Sequence, residues 1–378
     1  MPPILSGLNS DLHSQKQKLE ASLNNNKVGL GWLRFTCSVK DLTHWRESIK
    51  DYFSVELLPR GKGWNGYLES LQGSYSILIA YTPSFTQAER LVRGIKASPN
   101  EGLMTVDIPQ SALDSLSGVN LLKLWLDVYG CEGLNLTRVD VYYDDYCKLI
   151  SPEELHNGCK RGGVGVPQIR NIRGWDEYDL QEGVNKGYTV YFGSNRSSKQ
   201  IRYYDKFAES GGRQDCYRLE VQLSGDSAKA FQDWFSDAFS ESLGLPTLDH
   251  SLTAIANAYK RVLKGSISFH EIPVGTTPRE LEANWVSRTP YTWWWKELLA
   301  GLEPAKLVIE RRPPSLAGTV NWIRQQVMPG LALLRSVYQN WGILFGSWLD
   351  RELEQGEERW SERHFNLLKE ALITSPAT

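Results

Sequence analysis

The chain has 378 residues, 41% of them hydrophobic and 23% charged, with a net charge of −2, 14 tryptophans and 17 tyrosines. That length allows about two domains with real cores, and the near-neutral balance excludes a polycation, so any nucleic-acid surface must be a local patch. Five scattered cysteines without a CxxC pair exclude a disulfide frame or a cysteine zinc site and fit reduced thiols. The start is not a signal peptide and no apolar run reaches bilayer length, so the expectation is a cytoplasmic protein with no membrane contact.

In chain order, residues 1–25 read as a polar leader. From residue 26 onward, strand-like and helix-like segments alternate. "VGLGWLRFTCSV" is strand-like, "KDLTHWRESIKDYF" has helical spacing, and "GSYSILIAYTP" and "GLMTVDIP" read as strands. "GKGWNG" matches a dinucleotide fingerprint but lacks the helix and acid that should follow, so a hairpin turn is expected. "QSALDSLSGVNLLKLWLDVYG" predicts one or two helices, and four strand-like runs come next: "LNLTRVDVYYDD", "GYTVYFGS", "KQIRYYDK" and "CYRLEVQLSG". Beyond about Leu245 helical periodicity takes over. The expectation is an α+β domain over 26–245, its antiparallel sheet covered by helices on one face, followed by a mainly helical region over 246–378. That region could recognise DNA or mediate a homodimer; its "TVNWIRQQVMPGLALLRSVY" is split at Pro329-Gly330, loosely like a helix-turn-helix.

Side chains alternate across a strand, so each run divides into two faces. In "RVDVYYDD", Arg138, Asp140, Tyr142 and Asp144 share a face opposite Val139, Val141 and Tyr143. In "KQIRYYDK", Arg202, Tyr204 and Lys206 lie opposite Ile201 and Tyr203, and in "YRLEVQL", Arg218 and Glu220 lie opposite Leu219 and Val221. If the strands share a sheet, the polar faces merge. One reading is a solvated face and nothing more. The other is chemical: hard carboxylate oxygens suit Mg²⁺ or Mn²⁺, such a cation stabilises charge on a phosphodiester, and a tyrosine hydroxyl can attack phosphorus. A phenol ionises near pH ~10, and flanking cations should favour its phenolate. Alternation selects Tyr204 over Tyr203.

These runs, in this order and spacing, resemble the replication initiator family of rolling-circle plasmids (the Rep_trans type) and related relaxases of conjugative elements. The resemblance implies Tyr204 as nucleophile within Arg202-x-Tyr204-x-Lys206. It implies acidic metal ligands drawn from Asp140, Asp144 or Asp145, and Glu220; our expectation is Asp140, Asp144 and Glu220. It also implies nicking of one strand of origin DNA, in a single-stranded or hairpin site, with covalent attachment to the 5′ phosphate. A 3′ hydroxyl would be left for a host polymerase working with a host helicase. Asn195 departs from the pattern, in which arginine often stands there.

The region is locally cationic. From Lys186 to Arg218, seven basic residues (186, 196, 199, 202, 206, 213, 218) face three acids (205, 209, 215), and "CKRGGVGVPQIRNIRG" adds Arg170 and Arg173 without an acid. Expected DNA contacts are Arg138, Arg196, Lys199, Arg218, Arg170 and Arg173, with Tyr142, Tyr191 and Trp175 as aromatic surfaces that could stack unpaired bases.

Overall fold

The computed structural model describes residues 27–94, 98–167, 169–181, 183–194, 196–282, 284–298, 303–309, 319–320, 323–340, 344–362, 364–365 and 368–369. The expected leader over 1–25 lies outside these residues, as does Asn195. The strands, in chain order, are β1 (Lys27–Ser38), β2 (Leu58–Pro59), β3 (Glu69–Gln72), β4 (Leu78–Tyr81), β5 (Leu103–Pro109), β6 (Asn135–Asp145), β7 (Gly162–Gly165), β8 (Ile172–Asp179), β9 (Val184–Phe192), β10 (Lys199–Asp205), β11 (Tyr217–Ser224) and β12 (His270–Val274). Ten of them form one sheet in the order β2-β3-β4-β5-β1-β6-β11-β10-β9-β8, and β7 pairs with β12 separately. Every pairing is antiparallel.

Five helices carry most of the packing: α1 (Leu42–Phe53), α2 (Gly118–Gly130), α3 (Pro152–Arg161), α4 (Asp226–Leu243) and α5 (Leu248–Ser266). Their starts follow local chemistry. Ser117 accepts from the Asn120 amide to begin α2, Ser151 and Glu154 form a capping box on α3, and Thr247 accepts from the His250 amide to begin α5. At α4 the N-cap is Gly225 at φ 50°, a left-handed conformation that glycine adopts without strain, and no side chain caps the helix.

The helices bury one face of the sheet. Helix α4 lies on β6 and β11, α5 on β1, β6 and β11, and α3 on β8, β9 and β10. Alternation sends Leu33, Phe35 and Cys37 of β1, Val139 and Val141 of β6, Ile201 and Tyr203 of β10, and Leu219 and Val221 of β11 into this core. The α2–α4–α5 layer is aromatic. Trp125 is fully buried against Phe235 at 4.7 Å and donates its indole N–H to the Tyr259 hydroxyl of α5 at 2.8 Å. Helix α5 is therefore part of the sheet's own core. The chain divides into compact units at 309/310, so the first unit runs past residue 245, to Ile309. Near its end Trp294 and Trp295 are buried against Phe269, while Trp293 is exposed.

The second unit, Glu310–Thr378, holds a π-helical turn Ile323–Val327, a helix Met328–Asn340 and a helix Phe345–Glu357. Tyr338 packs on Phe345 and Trp348 between the two helices. Pro329-Gly330 does not split two helices here; it follows the π-helical turn directly, in the first turn of Met328–Asn340, and the helical run continues through it. Among the described residues, no helix is long and apolar enough to cross a membrane.

Candidate active site

The face of the sheet opposite the α4–α5 layer is polar, and pairing register turns it into rows. Trp175 (β8), Thr189 (β9), Tyr204 (β10), Arg218 (β11) and Asp144 (β6) are successive cross-strand partners. The row beside it runs Arg173, Tyr191, Arg202, Glu220, Tyr142 and Gly29. Gly29 is needed there: a Cβ on it would stand 2.8 Å from the Tyr142 hydroxyl, which lies across the β1 backbone. Segments distant in sequence roof the face. Asp114 accepts from the Tyr142 hydroxyl at 3.0 Å, and Gln110, Ser111 and the Glu209–Gln214 turn close over β10. A cavity of about 880 Å³ results, with Asp140, Arg202, Tyr204, Lys206 and Glu220 in its lining.

Tyr204 is only 6% exposed, but its surroundings are polar. Its hydroxyl donates to Glu220 Oε2 at 2.9 Å, and Arg202 binds Glu220 Oε1. The two cations that flank the phenol in sequence lie near its ring, Arg202 at 5.8 Å and Lys206 Nζ at 5.9 Å from the centroid. Each is also committed to a carboxylate, Arg202 to Glu220 and Lys206 to Glu209 at 2.5 Å. The expected phenolate is not what this arrangement favours. Burial first and the Glu220 charge second push Tyr204 well above the ordinary tyrosine range, outweighing the pull of Arg218 and Arg202. Tyr203 points the other way, into the core, and donates to the Ile150 carbonyl at 2.7 Å.

Of the three expected metal ligands, the structure brings two together. Asp140 and Glu220 both line the cavity. Burial pushes Asp140 up to about 7 despite the two hydrogen bonds from Arg138 (2.9 and 2.6 Å), and the Glu220 charge adds to the rise. Burial also raises Glu220, yet the charge and hydrogen bond of Arg202 and the Tyr204 hydroxyl bring it net below the ordinary range. Two carboxyls in the lining of one cavity, one held against ionisation by a dry setting and a like charge, are a donor set that a divalent cation would relieve. Asp144 does not fit. It is fully buried and absent from the cavity lining, with both oxygens taken by the buried Arg218 (Nε at 2.5 Å, Nη2 at 2.8 Å); Asp140 is paired with Arg138 in the same bidentate way but lines the cavity. Among the described residues, the only three candidate donors mutually within 4.8 Å are Cys37, Asp41 and Cys131, elsewhere on the fold, so the expected carboxylate triad is not preassembled.

The expected DNA contacts divide similarly. Arg138 lines the cavity with its guanidinium 4.3 Å from the Trp32 ring, and Arg173 is exposed on the same face, over Tyr191. Arg170 and Arg196 are exposed on loops outside the cavity lining. Two expectations are corrected. Arg218 is 0% exposed, stacked 3.7 Å over Tyr142 and bound to Asp144, so it is a buried structural cation and not a phosphate contact. Lys199 partners Leu223 on the helix-covered face, and burial pushes its ammonium down. Sequence reasoning missed Trp32, Gln110, Asp114, Glu209 and Arg213. Alternation along β1 could have found Trp32, and the Gly211-Gly212 turn after Lys206 marks Arg213. Nothing in the sequence ties Gln110 or Asp114 to β6.

Comparison with known proteins identifies the family. The family model described as "Replication initiation factor" matches residues 134–349, more than half of the chain and all of the polar-face strands from β6 to β11. A Bacillus subtilis (strain 168) protein named "Putative DNA relaxase NicK" is 22% identical over 231 residues, covering 58% of this chain and 59% of that protein. The chain thus spans about three fifths of that relative's length. The solved rolling circle replication initiator protein from Geobacillus stearothermophilus superposes with a TM-score of 0.53 at 20% identity, covering 76% of this chain and 100% of that one, a likeness of fold. The chain belongs to the replication initiation factor family.

Proposed function

We propose that this protein nicks and rejoins one strand of origin DNA through Tyr204, starting rolling-circle replication of a plasmid or similar element. The observation that carries the reading is the Tyr204 hydroxyl, hydrogen-bonded to Glu220 in a cavity that also holds Asp140, Arg202 and Lys206. The phenol oxygen attacks phosphorus as its proton leaves, the P–O3′ bond breaks, the departing O3′ takes a proton from solvent to become the 3′ hydroxyl, and the 5′ phosphate stays on Tyr204. Glu220 Oε2 is placed to accept the phenol proton. Arg202 and Lys206 hold the phosphate oxygens once their carboxylates yield them. Asp140 and Glu220 would hold Mg²⁺ or Mn²⁺, and the cation would supply Lewis-acid stabilisation of the charge that develops on the phosphate. Because phosphotyrosine retains the diester's energy, attack by a 3′ hydroxyl reseals the strand without a nucleotide cofactor. The freed 3′ end would prime a host polymerase, with a host helicase opening the duplex.

The resemblance to a protein named as a relaxase favours a second reading, the same chemistry starting conjugative transfer. A plasmid maintenance assay against a mating assay separates the two. The chemistry itself is tested by incubating the protein and its Tyr204→Phe variant with supercoiled DNA carrying its own gene, with Mg²⁺ or Mn²⁺. The wild type should yield protein-linked open circles and the variant should bind DNA without a covalent adduct. Adduct formation by Tyr204→Phe would remove Tyr204 from the mechanism, and cleavage in EDTA would remove the cation.

A further inference from the structure

We propose that Trp175 is a stacking platform for an unpaired base of the strand being cut, an inference that rests on the nicking reading of the Tyr204 cavity. Trp175 and Tyr204 occupy the same cross-strand row with Thr189 between them. Two strand spacings put them about 10 Å apart along the sheet. That is within about three nucleotide steps at the ~3.4 Å rise of a stacked strand. A phosphate held at Tyr204 therefore brings a base of the same strand over β8.

The three aromatics with stacking potential in the sequence are not equivalent in the fold. Tyr142 is 1% exposed and already carries the Arg218 guanidinium at 3.7 Å. Tyr191 is half-buried beneath Arg173. Trp175 is 65% exposed, on an edge strand. Trp175 lies on the polar face beside the cavity rather than in its lining: its row partner Thr189 does line the cavity, and the other side of β8 is closed, because a Cβ on Gly174 would run into the Tyr188 hydroxyl and His156.

Charge around the ring selects the same ligand. Arg173 stands two residues before Trp175 on that face, and Glu177 stands two residues after it at the cavity rim. A strand crossing the sheet keeps its phosphates on the Arg173 side, away from Glu177, and lays a base on the indole. Single-stranded DNA needs this pairing of π-face and flanking cation; a duplex, whose bases are already stacked, gains nothing from it.

The test uses two labelled probes, oligo(dT) of twenty nucleotides and a twenty-unit abasic strand with the same phosphates, read by fluorescence anisotropy on the full chain. Wild type should prefer the dT strand by roughly five- to a hundredfold. Trp175→Ala should lose that preference while keeping its affinity for the abasic strand and the salt slope of binding, and Trp175→Phe should restore most of the preference. If wild type forms the covalent adduct with supercoiled DNA but Trp175→Ala distinguishes the two probes as wild type does, this inference fails and the nicking reading stands. If wild type neither binds oligo(dT) nor forms the adduct, the nicking reading itself fails. A wild type that binds both probes equally also overturns the platform.

Discussion

Arg218 stands directly opposite Tyr204 on the neighbouring strand, yet its guanidinium turns the other way along the row and grips Asp144, with neither side chain more than 1% exposed. Removing one member of such a pair strands a charge in a dry interior. Asp144→Asn or Arg218→Met should therefore cost about 3–5 kcal/mol, and Asp144→Leu combined with Arg218→Met should recover most of it. Urea unfolding monitored by circular dichroism measures both. An Asp144→Asn protein with wild-type stability but no cation response would return Asp144 to the metal site.

Asp140 and Glu220 should differ in which part of the reaction their loss exposes. Glu220 is the contact that joins Arg202 to the Tyr204 hydroxyl, and losing a positioned proton acceptor removes roughly 10²–10⁴ in rate. Glu220→Gln should cut single-turnover cleavage by at least about a hundredfold while DNA binding stays within a few-fold of wild type. Asp140→Asn should leave folding intact and raise the Mg²⁺ or Mn²⁺ concentration needed for cleavage. A Glu220→Gln enzyme cleaving at wild-type rate would exclude Glu220 from proton transfer.

What was legible in the sequence follows from what alternation can encode. "RVDVYYDD", "KQIRYYDK" and "YRLEVQL" assign their faces correctly because the sheet is antiparallel with one side covered by helices, so period two maps onto inside and outside. Alternation says nothing of which strands are neighbours or in what register. The Arg218–Asp144 pair spans 74 positions and exists only because β11 lies on β6 with those residues opposed, so a phosphate contact and a structural ion pair look identical in the sequence. The roof over the polar face has the same origin. Gln110 and Asp114 come from before β6 and line the same cavity as Tyr204, where burial and the Glu220 charge keep the expected phenolate a neutral phenol. The drop in strand signal after Leu245 is real, but Tyr259 of α5 completes the core around Trp125, a contact across 134 positions.

That contact makes a prediction about boundaries. A fragment spanning 27–245 exposes Trp125, Phe235 and the apolar side of β6, whereas 27–309 keeps them covered. Only the longer fragment should give a cooperative thermal transition; the shorter should bind a hydrophobic dye and aggregate. Cooperative unfolding of the 27–245 fragment would show that α5 is dispensable.

The close approach of Gly29 and Tyr142 can be tested as a pair. Gly29→Ala places a methyl 2.8 Å from the Tyr142 hydroxyl, in a side chain fixed between Arg218 and Asp114. Overpacking of this kind costs about 1–3 kcal/mol. Tyr142→Phe removes the clashing oxygen together with its hydrogen bond, so the double variant should be more stable than the sum of the singles. Strict additivity in denaturant melts would mean that the ring moves aside freely.

Acid should weaken the fold through two histidines. His156 of α3 is buried, its Nδ1 2.6 Å from the Tyr188 hydroxyl, and burial first, then the Lys160 charge, hold it below the ordinary histidine range. Burial lowers His270 in the same way, against the opposing hydrogen bond to the Thr289 carbonyl. For a group whose folded pKa is depressed, the unfolded chain binds more protons as pH falls. The stability these neutral rings contribute is therefore complete above about pH 6.5 and is lost as pH drops below it. Between pH 7.5 and 5.5 the protonation of Asp140, which burial holds at about 7 in the fold, acts in the opposite sense and equally in both proteins, so the histidine contribution is read as a difference: the melting temperature of His156→Gln, which cannot titrate there, should drop less or rise more than that of the wild type. Equal slopes for wild type and His156→Gln would place the acid sensitivity outside His156, with His270 as the next group to replace.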